Sequence, residues 1–149
     1  MNIPFNLSTT HVYSDETRSF FRGKRVLVTG GSGFIGSHVV EQLLGLDAHP
    51  VVPSRTGSSA FLAPLGNSVE LTHTDLRHRS PTINLMAGID TVLHLAANVG
   101  GLAYNLGHSA EIFDANISVD MNVLHAATRA GVDRVLLCSS ACVYPRHCS

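Results

Sequence analysis

Charge and lysine are scarce in this chain. Charged residues make up 14% of its 149 residues, the formal net charge is −1, and Lys24 is the only lysine. No basic field points to a nucleic-acid partner, and no acidic run reads as a solvating tail. Cysteine is also rare: Cys138, Cys142 and Cys148 crowd the last stretch. An odd, clustered set makes a poor disulfide framework, so the thiols read as reduced and the setting as cytoplasmic. The N-terminus lacks a basic start followed by an apolar run, which excludes a secretory signal. The longest apolar window, residues 83–103, contains Asp90, His94 and Asn98, which argues against a membrane span. No internal repeat is visible. No zinc spacing appears among Cys138, Cys142, His147 and Cys148, so no metal site is expected.

What is present is apolar: hydrophobic residues reach 44%, enough for a buried core. Residues 1–22 are polar without a clear period and read as a peripheral extension, with a short helix capped by Ser14. From residue 23 onward, short β-branched runs alternate with helical patterns. Strands are expected at 25–30, 49–55, 69–75, 90–97 and 134–140. Helices are expected at 34–46, 80–88 and 108–130. Ile35, Val39, Val40, Leu43 and Leu44 should be the buried face of the first. Ser80 should cap the second, with Pro81 at its first position and Gly88 as its stop. Ile112, Phe113, Ile117, Val123, Leu124 and Ala127 should form the buried stripe of the third, which Gly131 ends. Residues 56–68 read as a loop or broken helix, and residues 98–107 as a glycine-rich turn. Nearly continuous apolar strands alternating with helices describe an α/β, doubly wound parallel sheet in the order 3-2-1-4-5.

The first strand opens into TGGSGFIGS, with Gly30, Gly33 and Gly36 spaced G-x-x-G-x-x-G. It lies between a strand and a helix within a βαβ unit, the context in which such glycines cradle a pyrophosphate. Gly30 permits the tight turn, Gly33 lets the ligand approach the backbone, and Gly36 lets the helix pack on the strand. The helix N-terminus supplies free N–H groups and the positive end of its dipole. No Gly-Lys-Ser/Thr follows, which excludes a nucleoside-triphosphate P-loop. Dinucleotide sites read the adenine ribose about 20 residues further on, with an acid for a 2′-hydroxyl or an arginine for a 2′-phosphate. The second strand ends in Ser54 and Arg55 without an acid, since Asp47 comes too early. The reading is therefore NADP, with NAD as the alternative.

Taken together, VLVTGGSGFIGSHV, the DL pair at 75–76, HLAA at 94–97 and SSACVYP at 139–145 resemble the extended short-chain dehydrogenase/reductases, the sugar-nucleotide epimerase/dehydratase group. The resemblance runs from about residue 23 to 147 and implies a Rossmann-type fold over 23–149, incomplete at its C-terminal side, with the substrate domain absent. AANVGGLAYN and SSACVYP narrow it toward the enzymes that epimerise GDP-hexoses.

The resemblance implies that Gly30, Gly33, Phe34, Ile35 and Gly36 hold the pyrophosphate. Asp75 and Leu76 would lie by the adenine, and Leu95, Ala96 and Ala97 would line the cofactor. Gly100 and Gly101 would sit beside the hexose, and Asn116 would support the active-site loop. Ser140 would bond the reacting sugar oxygen, and Cys142 would act as an acid/base. Without the resemblance, Cys142 and Cys138 read as buried thiols, and His73, His78 and His94 as structural or solvated.

The resemblance also calls for a Tyr-x-x-x-Lys pair, in which lysine lowers the pKa of the proton-moving tyrosine. Tyr13, Tyr104 and Tyr144 are followed four positions later by Thr17, His108 and Cys148. The expectation is a cofactor-binding part whose catalytic pair lies downstream, inactive alone, from an enzyme that is a homodimer when complete. A non-catalytic dinucleotide-binding module or an inactive fragment are the alternatives.

Overall fold

Short runs rich in β-branched residues, such as 25–29, 49–54 and 91–94, become strands. A computed structural model describes residues 13–140, 143 and 144. Its elements, in chain order, are α1 (Asp15–Phe21), β1 (Arg25–Thr29), α2 (Phe34–Gly45), β2 (His49–Ser54), a 3-10 segment (Ala63–Ser68), β3 (Glu70–His73), α3 (Arg79–Leu85), β4 (Thr91–His94), α4 (Leu102–Gly107), α5 (Ser109–Ala130) and β5 (Arg134–Leu137). All strand pairs are parallel and the order is β3-β2-β1-β4-β5, as expected.

Alternation along β1 divides the core. Val26 and Val28 pack with Val40 and Leu43 of α2 on one face. Leu27 packs with Met86, Val123, Ala126 and Ala127 on the other, beneath α3 and α5. Each face is thus covered, which is what a parallel sheet requires. Ser14 caps α1 by accepting the Thr17 N–H, and Gly131, at φ 69°, stops α5.

Four expectations need correction. The buried face of α2 is Gly36, Ser37, Val40 and Leu43, while Ile35 is exposed. The tight helix start puts Gly36 and Ser37 against the turn, which rotates Ile35 outward. α3 begins at Arg79 with His78, not Ser80, as its cap residue. Pro81 sits within the first turn, where no intrahelical N–H is required, and Thr82 Oγ1 donates to the His78 carbonyl at 2.8 Å.

The stretch read as a glycine-rich turn contains α4. There Asn105 accepts the Gly100 N–H, and the Tyr104 ring stacks on His108 with centroids 4.6 Å apart. Finally, only the C-terminal half of α5 supplies the buried stripe. Val123, Ala126 and Ala127 are buried, whereas Phe113, Ile117 and Leu124 join Met121 on an outward-facing apolar row.

β5 is exposed along its whole length, Val135, Leu136 and Leu137 included. Among the described residues nothing covers this edge of the sheet. At the opposite end of the strands, Phe20 of α1 lies beneath the Arg134 guanidinium, 4.9 Å from ring to cation, and 5.3 Å from the Lys24 ammonium. Phe21 packs against the α2-side core.

Candidate functional site

The C-terminal ends of the strands open into a cavity of about 580 Å³, the usual position for a ligand in an open α/β sheet. Its floor is the turn after β1. Gly30 has φ 72°, and a side chain there would come within 2.9 Å of the Ala96 nitrogen. A Cβ on Gly36 would lie within 2.6 Å of Gly31 Cα and closer still to the Gly30 carbonyl oxygen. By contrast, a Cβ on Gly33 would meet protein only at the Gly30 oxygen, 3.3 Å away. Its open side faces the cavity. This is the cradle a phosphate requires: two glycines that pack the turn and one that leaves the backbone bare beside a helix N-terminus.

Cofactor residues inferred from sequence converge on this cavity. Gly30, Gly33, Phe34, Ile35 and Gly36 line its floor, Ser54, Arg55, Asp75 and Leu76 one end, and Leu95, Ala96 and Ala97 the other. The exposure of Phe34 and Ile35 is explained by this placement. Ser54 lines the wall, but its hydroxyl shapes the turn after β2, donating to the Ser58 carbonyl and accepting the Thr56 N–H. The Arg55 backbone is pinned from β3, where His73 Nε2 donates to its carbonyl at 2.9 Å. The Arg55 side chain is exposed and forms no ion pair among the described residues.

Sequence reasoning missed Arg77, which lines the same end. Its guanidinium grips Asp75 through Nε and Nη2, the latter 2.6 Å from Oδ2. The hydrogen bond from Arg77 holds the Asp75 carboxyl down to about 2, against an ordinary 3.8. Because the folded value lies below the ordinary one, the associated stability is present above pH 3.8. It is lost as pH falls toward 2. Replacing Asp75 by asparagine should therefore lower stability near neutrality and flatten its pH dependence in that window, so that the two chains converge near pH 2; circular dichroism against pH checks this. The DLRH spacing was the available signal, an acid two residues before an arginine at a strand end.

At the other end, Asn116 of α5 clamps Asn98, accepting its N–H at 2.5 Å and donating to its carbonyl at 3.1 Å. Cys138, expected in the core, is exposed and free at the cavity edge. Among the described residues nothing packs over β5, so the thiol stays exposed. Gly100, Gly101 and Ser140 do not line the cavity. Gly101 caps α4 instead, and Gly100 lies where a Cβ would strike the Tyr104 ring at 2.5 Å. Cys142 lies outside the described residues. Among the described residues no three His, Cys, Asp or Glu side chains are grouped to hold a metal, and no helix is long and apolar enough to cross a membrane.

Comparison with known proteins agrees with this geometry. Residues 26–149 match the NAD dependent epimerase/dehydratase family. A dTDP-4-dehydro-6-deoxy-D-allose reductase from a Streptomyces species is 39% identical over 86% of this chain and 41% of the reductase. GDP-mannose 3,5-epimerase 1 of Oryza sativa subsp. japonica is 32% identical over 81% of this chain and 32% of the epimerase. In structure, the UDP-glucose-4-epimerase of Stenotrophomonas maltophila, solved with bound NAD and formylated UDP-arabinopyranose, superposes with a TM-score of 0.71 at 34% identity. The match covers 84% of this chain and 40% of that one. The chain thus spans about two-fifths or less of the length of the relatives it matches. With a family match that runs from β1 through β5 and takes in the whole glycine cradle, the chain belongs to the NAD dependent epimerase/dehydratase family.

Proposed function

We propose that this chain is the N-terminal, cofactor-binding part of an NAD(P)-dependent sugar-nucleotide epimerase or epimerase/reductase that acts on a GDP-hexose and uses NADP. The observation that carries the reading is one cavity in which a glycine cradle, an exposed arginine with no ion pair among the described residues and the β4 wall meet. Gly30, Gly33 and Gly36 shape the turn, and the N–H groups of Phe34 and Ile35 at the start of α2 meet the pyrophosphate. Arg55 takes the 2′-phosphate, because Asp75 is already neutralised by Arg77 and offers it no competing carboxylate. Asp75 and Leu76 border the adenine, and Leu95, Ala96 and Ala97 support the other half of the dinucleotide.

When bound, NADP supplies a reversible hydride acceptor. Ser140 would then hold the reacting sugar oxygen, Cys142 would move a proton at a sugar carbon, and Gly100 and Gly101 would border the hexose. The tyrosine and lysine that complete the chemistry would come from sequence downstream.

The GDP assignment rests on AANVGG and SSACVYP and on the likeness to the rice epimerase. The dTDP-sugar reductase and the UDP-glucose epimerase show that the family spans other bases. Residues 1–22 would be an extension and 23–149 the cofactor domain of a cytoplasmic enzyme that dimerises when complete.

Purified alone, the 149-residue chain should bind NADPH and turn over no GDP-sugar in a coupled or chromatographic assay. Joined to its native downstream sequence bearing Tyr-x-x-x-Lys, it should turn over GDP-mannose or its 4-keto-6-deoxy derivative. Turnover by the short chain, or a longer native product without that pair, would refute the proposal.

A further inference from the structure

We infer that His94 is a positioning residue that sets the β4 wall of the cavity through Thr29 and Asp120. The inference rests on the dinucleotide reading above. Thr29 and His94 are the last residues of β1 and β4, they are register partners, and both are buried, at 0% and 2% exposure. Thr29 Oγ1 accepts the N–H groups of Leu95 and Ala96, each at 3.1 Å. A hydroxyl has two acceptor positions and one proton to give. Both acceptor positions are filled, so the proton goes to His94 Nδ1, 2.5 Å away. Nδ1 is then the acceptor and Nε2 carries the ring hydrogen, which it donates to Asp120 Oδ1 at 2.9 Å. Only this tautomer satisfies every member of the chain. A proton on Nδ1 would face the Thr29 O–H and turn the Nε2 lone pair toward a carboxylate.

This chain of bonds fixes a distance that the site needs. Leu95 N–H already has a backbone partner in the Thr29 carbonyl at 3.2 Å, whereas Ala96 N–H is held by the hydroxyl. That bond bends the chain off the end of β4 and lays it against Gly30, where no Cβ would fit. Asp120 and Asn116 lie one turn apart on the same face of α5. The helix therefore anchors the wall twice, at His94 through Asp120 and at Asn98 through Asn116. The wall lies on the opposite side of β1 from Ser54, Arg55 and Asp75. In a doubly wound sheet the adenosine half lies over that β2–β3 side, so the β4 wall receives the nicotinamide half.

The test compares two ligands of the whole chain, NADPH and adenosine 2′,5′-bisphosphate, which lacks the nicotinamide half. Thr29→Val removes the hydroxyl at nearly constant shape, Thr29→Ser restores it, and Asp120→Asn perturbs the relay from a half-exposed position. The valine variant should weaken NADPH about tenfold, as loss of a buried hydrogen bond does, and change the bisphosphate less than about twofold. The serine variant should recover the NADPH affinity. Asp120→Asn should weaken NADPH alone by a smaller factor, which covers the case of a valine variant that fails to fold. In the unaltered chain, nitrogen NMR of His94 should show the ring hydrogen on Nε2. A hydrogen on Nδ1, or equal effects on both ligands, would overturn the inference while leaving the dinucleotide reading intact. Failure of the unaltered chain to bind NADPH would overturn both.

Discussion

Replacing Gly36 by alanine should abolish dinucleotide binding and destabilise the fold together. The added methyl would fall well inside contact distance of the Gly30 carbonyl oxygen and within 2.7 Å of its carbon. Those atoms are backbone, and no rotamer change can move them aside. α2 would have to lift away from β1, uncovering Val40 and Leu43, which are buried against Val26 and Val28. Overpacking of this kind costs typically 1–3 kcal/mol and sometimes more, here about 3 kcal/mol because the obstacle is rigid. For a chain of this size that corresponds to a fall in melting temperature of roughly 6–12 °C.

Gly33→Ala is the contrasting case. Its methyl would meet protein at 3.3 Å only, on the side open to the cavity. Stability should stay within about 1 kcal/mol, while NADPH affinity drops by about tenfold or more, because the methyl occupies space meant for the phosphate. Differential scanning fluorimetry with and without NADPH separates the two effects. Equal melting temperatures for Gly36→Ala and the unaltered chain would contradict the packing argument.

The unaltered chain should prefer NADPH to NADH by about 10- to 100-fold, the worth of one charge-assisted hydrogen-bond cluster to a phosphate. Arg55→Ala should bring the two within about threefold by lowering NADPH affinity alone. Arg55 is singled out because its charge is uncancelled, while Arg77 beside it is held by Asp75. The His73 bond to the Arg55 carbonyl keeps the residue at the cavity end. Since the guanidinium is exposed, the preference should also shrink as salt is raised. Isothermal titration at two ionic strengths measures both effects. Equal affinities for NADPH and NADH in the unaltered chain, or a preference that survives Arg55→Ala, would remove Arg55 from the selection of cofactor.

Much of this molecule could be read from its residues, for local reasons. β-branched runs between turn residues gave the strands, and the right-handed crossover rule gave their order. The glycine motif placed the cradle because backbone crowding there depends on glycine itself and hardly on context. The errors arose where tertiary packing decides. Periodicity marked apolar residues along all of α5 but could not say that Phe113 and Leu124 lie on a second, outward row. Ile35 fits a helical stripe, yet the cavity floor needs it turned away from the core.

The His94 relay was missed for a different reason. A histidine's role depends on neighbours 26 and 65 positions away, Asp120 and Thr29, which only the fold brings together. The positions assigned from resemblance alone divided in two: those on the sheet edge met at one cavity, while Gly100, Gly101 and Ser140 lie away from its lining.

The most direct test is a fluorescence titration of the purified 149-residue chain with NADPH, monitored by the enhanced emission of the bound nicotinamide. A saturable, one-to-one curve that adenosine 2′,5′-bisphosphate competes away and that Gly36→Ala abolishes is the predicted result. A folded chain that leaves NADPH emission unchanged across the titration would contradict the assignment of this cavity to a dinucleotide.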